Sequence, residues 1–118
     1  MAIDAEEVQG LVNAELSKIT ERELLDFISP FLVKPRCELR DWDYGTPGQQ
    51  FPCWIVIAHP QSNTAIAYCD QGFGPLCPWG LLSMSEPHSS MGMDSGWFST
   101  FEDAVRDSWI WQERSTPS

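Results

Sequence analysis

Basic residues are scarce in this 118-residue chain. It holds seven Lys and Arg against seventeen Asp and Glu, a net charge of −10, and none of the seven falls between residues 45 and 98. With a pI near 4.3, such a surface repels nucleic-acid phosphates and anionic lipid, so neither nucleic acid nor membrane is the expected partner. No apolar run approaches the roughly 18 residues of a spanning helix. Met1 to Glu7 carry acids where a secretory signal carries Lys or Arg, and the expected location is the cytoplasm. What is present is enough for a core: 42% hydrophobic and 12% aromatic residues. Length and composition together predict one domain over 1–118.

The four cysteines, Cys37, Cys53, Cys69 and Cys77, are spaced by 16, 16 and 8, with no C-x-x-C. A local zinc knuckle or thioredoxin-type pair is thereby excluded. A zinc site would have to be gathered from distant positions such as His59, Cys69, Cys77 and His88. The simpler expectation is four free thiols in a reducing compartment, packed as small hydrophobes, with no metal and no cofactor.

Composition divides the chain. Residues 1–44 hold ten acids and five bases, whereas 45–98 hold three acids, seven of the eight glycines and six of the nine prolines. This predicts a helical start over 1–34, a sheet with Gly/Pro-rich loops over 35–98, a helix over 99–112 and a flexible tail over 113–118. Asp4 and Glu7 have capping-box spacing, and Val8, Leu11, Val12, Leu16 and Ile19 follow at steps of three and four. Thr20 and Glu23 repeat the box for a short second helix, which Pro30 ends. The third box is Ser99 with Glu102, opening a helix whose buried side is Phe101, Ala104, Val105, Ser108 and Trp109.

Period-two alternation begins at Cys37, with Cys37, Leu39 and Asp41 on one face and Glu38, Arg40, Trp42 and Tyr44 on the other. Cys53 to Ala58 is apolar throughout, as a central strand covered on both faces would be. Pro60 to Asn63 closes a hairpin onto Thr64–Asp70. A regular register would pair His59 with Thr64, set Ile55, Ile57, Ile66 and Tyr68 on one face, and give Trp54, Val56, Ala58, Ala65, Ala67 and Cys69 the other. Three alanines on that second face would admit a closely packed helix. Cys53 and Cys69 would face opposite ways. Gly80–Met84 and Trp97-Phe98 supply further strands. The expected fold is α+β, a three- to four-stranded antiparallel sheet with two N-terminal helices and one C-terminal helix, packed mainly on one face.

Catalytic patterns are poorly represented. In the regular register His59 and Cys69 lie at opposite ends of a strand, beyond the reach a Cys–His nucleophile needs. Asp41 and Asp43 form a carboxylate pair that could raise one pKa, but solvated acids at a strand end account for them. Glu102 and Asp103 suit the first turn of a helix. Gly72-Phe73-Gly74 lacks the third glycine, helix and lysine of a phosphate cradle. No catalytic residue is assigned, and the protein is not expected to be an enzyme.

Six tryptophans are a stronger signal in so short a chain. Trp54 and Trp109 suit the core; Trp42, Trp79, Trp97 and Trp111 fall at strand ends, loops or the far side of a helix. Aromatics beside acids suit a protein-binding surface, and the candidate set at one sheet end is Trp42, Asp43, Tyr44, Asp70, Phe73, Trp79, Asp94 and Trp97. Size, acidity and element order are similar in type to small bacterial immunity or inhibitor proteins, a likeness shared by several unrelated folds. It implies binding to a basic protein partner. The alternatives are a small-molecule or enzymatic domain using the 72–79 and 86–97 loops, and a homo-oligomer, a homodimer for instance, that covers the tryptophans.

Overall fold

A computed structural model describes residues 4–42, 46, 48–71, 76–83, 90–91 and 96–108. Helices α1 (Ala5–Lys18) and α2 (Arg22–Ile28) open the chain, and a single 3-10 turn, Ser29–Phe31, leads into the sheet. The strands are β1 (Leu32–Trp42), β2 (Gln50–His59), β3 (Thr64–Tyr68), β4 (Trp79–Ser83), β5 (Ser90–Met91) and β6 (Gly96–Phe98), followed by α3 (Phe101–Asp107). The sheet order is β5-β1-β2-β3-β4-β6. Five strands form an antiparallel run, and the two-residue β5 adds to β1 in parallel, opposite Asp41 and Trp42. The α+β class and antiparallel sheet are as expected. The strand count is higher: the short strand expected at Trp97-Phe98 is present as β6, and the two-residue β5 carries too few side chains to show a period.

Local chemistry explains the helix boundaries. The Asp4 carboxylate accepts from the Glu7 N–H at 2.9 Å, closing the first turn of α1. Val8 and Val12 are buried and Ile19 packs beyond the helix end, while Leu11 stays at the surface. The break before α2 falls at Ile19–Glu21, and Glu21, not Thr20, occupies the cap position, without a side-chain cap. The cap of α3 also lies one residue later than the sequence suggests. Thr100 Oγ1, not Ser99, accepts the Asp103 N–H at 3.1 Å. Phe101, Ala104, Val105 and Ser108 are buried as the helical spacing predicts; Trp109 and Trp111 lie outside the described residues.

The central hairpin contains a bulge that the regular register does not foresee. His59, Ala58 and Ile57 face Thr64, Ala65 and Ile66, but Ile55 and Trp54 then face Ala67 and Tyr68, leaving Val56 without a partner. One extra residue flips every side chain on one side of it. Val56, Ile57 and Ile66 therefore enter the core beneath the helices, with Val8, Val12, Leu24, Ile28, Trp79 and Phe101. Ile55 moves to the opposite face with Cys53, Ala65, Ala67, Cys69 and Leu82, where Phe51 and Trp97 pack against them. Two expectations are thus corrected. The alanines of β3 lie on the face away from the helices, and Cys53 and Cys69 share a face. At the same level β1 also departs from regularity, between Leu32 and Arg36, where Pro35 has no N–H to give the ladder.

On β1 the alternation is real but its polarity is inverted. Leu39 is 59% exposed, whereas Arg40 is only 4% exposed. Arg40 is held by Glu38, whose Oε1 accepts from Nη2 at 2.7 Å and from Nε at 3.1 Å. Arg36 reaches the other Glu38 oxygen at 3.2 Å. A buried guanidinium is tolerated when a carboxylate on the same strand face meets it.

Candidate functional site

Cα pairing sets Tyr68 opposite both Trp54 and Trp79, and Trp79 opposite Phe98. Cys37 lies opposite Trp54 in the same row. Beyond this row the β1–β2 pair continues to Asp41 opposite Gln50, about four residues or 13 Å of further ribbon. Trp42, Asp70 and Trp79 do lie toward one end of the sheet, as the strand directions predict. Trp79 there is not a surface residue.

Trp79 is 3% exposed and belongs to the core. Its ring meets Tyr68 and Phe101 edge-on, with centroids 5.0 and 5.3 Å away. It is therefore corrected from partner anchor to core residue. The signal for this was local: Trp79 alternates with Gly80, and its neighbours across β3 and β6 are aromatic. Trp97 is half-buried on the opposite face of the sheet, lying flat over Gly80. A Cβ there would come within 2.6 Å of the indole ring. Only a glycine permits this approach. The two tryptophans are thus separated by the thickness of the sheet.

Asp70 is half-buried and accepts from the Tyr68 hydroxyl at 3.4 Å. Burial, and then the Asp70 carboxylate, push the Tyr68 phenol above its ordinary value. Of Trp42 only the backbone, at the end of β1 beside Met91 of β5, is described. Asp43, Tyr44, Phe73 and Asp94 lie outside the described residues, as do 72–75 of the 72–79 loop and 86–89 and 92–95 of the 86–97 loop.

The described residues weighed for catalysis or metal binding are dispersed; His88 lies outside the described residues. His59 is buried at the hairpin end of β2, with Phe31 edge-on at 4.5 Å. Cys69 lies just past the other end of β3, so the two are about five residues, or roughly 16 Å, apart along the strand. Among the described residues no group of three His, Cys, Asp or Glu is placed to hold a metal ion. All four cysteines are free: Cys37 is exposed, Cys77 half-buried, and Cys53 and Cys69 buried. A hydrogen bond with Cys69, together with burial, pushes the Cys53 thiol far above its ordinary value. Burial, then Cys69 and Glu38, raise the Cys37 thiol as well.

Charge is more unevenly placed than the sequence alone shows. The helices and their cap residues Asp4 and Glu21 carry ten acids and three bases. Lys18 pairs with Glu15, Arg22 with Asp26, and Arg106 with both Glu21 and Glu102. All three helical bases are thus engaged, while Glu6, Glu7 and Asp103 add exposed charge. Strand β1 has the reverse balance, with Lys34, Arg36 and Arg40 against Glu38 and Asp41. Seven of the ten net negative charges therefore belong to the helical layer, not to the sheet end. Among the described residues no helix is long and apolar enough to cross a membrane. No family model, no curated protein and no solved structure matches this chain.

Proposed function

We propose that this protein acts by binding a basic protein partner, and that the helical layer presents the charge that draws the partner in. The observation that carries this reading is the segregation of charge: ten acids against three bases on α1, α2, α3 and their caps, with each base already held by a neighbouring carboxylate. A layer with that balance projects a negative field beyond the pairs that neutralise it, which accelerates encounter with a positive surface and disfavours acidic competitors. The reading includes a cytoplasmic location and no catalytic step. Asp70 is the described member of the sheet-end set whose charge adds to this field.

The test compares two charge reversals. Immobilised protein is challenged with a basic partner recovered from the same cells, identified, and then purified. Glu6→Lys with Glu7→Lys should slow association at low salt, with a smaller effect at high salt as the Debye length contracts from about 10 Å at 0.1 M to about 3 Å at 1 M. Asp70→Lys should have a weaker effect. An association rate indifferent to salt and to the helical reversal would refute the charge-led reading. Strong dependence on Asp70 alone would return the site to the sheet end.

A second reading, self-association, draws on two exposed side chains. Leu76 is 81% exposed and Leu39 59%, and burying both against a second copy would remove apolar area from water. Light scattering on a size-exclusion column decides it: a monomer mass at high concentration ends that reading.

A further inference from the structure

Cys53 and Cys69 are further apart in sequence than any local motif, yet the β2–β3 ladder brings them together. The ladder pairs Ile55 with Ala67 and Trp54 with Tyr68. One step further sets Cys53 directly opposite Cys69. The Cys69 N–H donates to the Pro78 carbonyl at 2.8 Å, so the Cys69 backbone groups point toward the β4 side and away from β2. The Cys53–Cys69 pair is therefore a non-hydrogen-bonded one, the closer of the two kinds, with Cα atoms about 4.5 Å apart in regular antiparallel structure. That separation lies within the roughly 4.4–6.8 Å that a disulfide spans. Both side chains belong to the same cluster on the face away from the helices, and Cys69 is the largest single influence on the Cys53 thiol. The bulge at Val56 is what makes this possible, since without it the two would face opposite ways.

We infer that Cys53 and Cys69 form a site of reversible oxidation, in which hydrogen peroxide converts the dithiol to a cross-strand disulfide joining β2 to the chain at the end of β3. The thiolate of one cysteine attacks a peroxide oxygen, the O–O bond breaks, and a sulfenic acid forms as water leaves. The sulfur of the second cysteine then attacks the sulfenic sulfur, the S–O bond breaks, and the hydroxide departs as water with the second thiol's proton. Two thiols lose two protons and two electrons, and the peroxide becomes two waters. Both sulfurs are buried, so the reaction is slower than oxidation of an exposed thiol such as Cys37. The same burial shields the product from reductants.

The experiment uses the full chain. No Lys or Arg lies between Arg40 and Arg106, so one tryptic peptide would carry Cys53, Cys69 and Cys77 together; peptic digestion is needed to tell the links apart. Native protein treated with hydrogen peroxide should yield a Cys53–Cys69 linked peptide that a dithiol reductant separates. The double variant Cys37→Ser with Cys77→Ser keeps only the proposed pair. Its denatured thiol count should fall from two to none after oxidation, and its thermal midpoint should rise because the link constrains the unfolded chain. The inference is overturned if that variant still keeps two titratable thiols after peroxide exposure prolonged well beyond what oxidises Cys37 in the parent protein. Links from Cys53 or Cys69 mainly to Cys77 or to a second molecule would overturn it equally. None of these readouts involves a partner protein, so the outcome is independent of the proposed function.

Discussion

Single positions show how closely local chemistry governs this structure. Thr100 supplies the cap oxygen of α3, so Thr100→Ala should lower stability by about 1 kcal/mol while Ser99→Ala leaves it nearly unchanged. Urea melts of the two variants provide the check, and a larger loss at Ser99 would contradict the cap assignment. Gly10 sits inside α1 with open space where a Cβ would project. Gly10→Ala should therefore raise stability by up to about 1 kcal/mol, seen as a higher urea midpoint. Tyr68 sets an alkaline limit. Burial and Asp70 raise its phenol above the ordinary value of 10.0, so the folded protein holds that proton to higher pH than the unfolded chain does. The resulting stability is complete below about pH 10 and is lost as pH climbs through the raised value. Tyr68→Phe should flatten the alkaline fall in stability measured by urea titration, and an unchanged slope would show that other groups control it.

Elements were legible in the sequence in proportion to their length. Asp4, Val8, Val12 and Ile19 mark α1 because a 14-residue helix repeats its period several times; the central strand is marked by an unbroken apolar run. The bulge left no such mark. Val56 sits between Ile55 and Ile57, and three adjacent β-branched residues read the same whether one of them is extra or not. That single hidden residue accounts for the misplaced alanines, Ile55 and the cysteine pair. The caps at Glu21 and Thr100 were each missed by one position: Ser99 offers a hydroxyl equivalent to that of Thr100, whereas Glu21 caps α2 without any side-chain bond that its type could announce. The candidate site fared worse. Trp79 looked exposed because a short strand flanked by loop residues gives no view of the α3 ring above it. Packing of α3 is the next test at this scale. Phe101 is fully buried against Trp79, and its N–H is accepted by Glu15 of α1 at 3.0 Å. Phe101→Ala should cost roughly 3–5 kcal/mol, read as a lowered urea midpoint. A loss under about 1 kcal/mol in that comparison would place α3 outside the cooperative core.

At the scale of the whole molecule, the governing feature is a charge of −10 on 118 residues, concentrated on one layer. Like charges on adjacent helices repel one another in the compact state, and salt screens them. Thermal stability at pH 7 should therefore rise between roughly 10 and 150 mM sodium chloride, as the Debye length falls from about 30 to 8 Å. A flat or falling midpoint would mean that the ion pairs of Arg106, Lys18 and Arg22 outweigh the repulsion. The same charge balance that was legible as a total could not be assigned to a surface from the sequence, because it depends on which side of the sheet the helices occupy.

The irregularities on either side of β2 have a mechanical consequence. Val56 lacks a partner on β3, and Val33 to Pro35 slip past the same level on β1. The two faults line up across the strands and form a crease, with the hairpin end of the sheet on one side and the ribbon end on the other. A bulge interrupts the ladder locally, so strain applied to the ribbon should be absorbed there before it reaches the His59 end. Amide exchange should resolve the sheet into two slow blocks divided by a fast line through residues 33, 34 and 56.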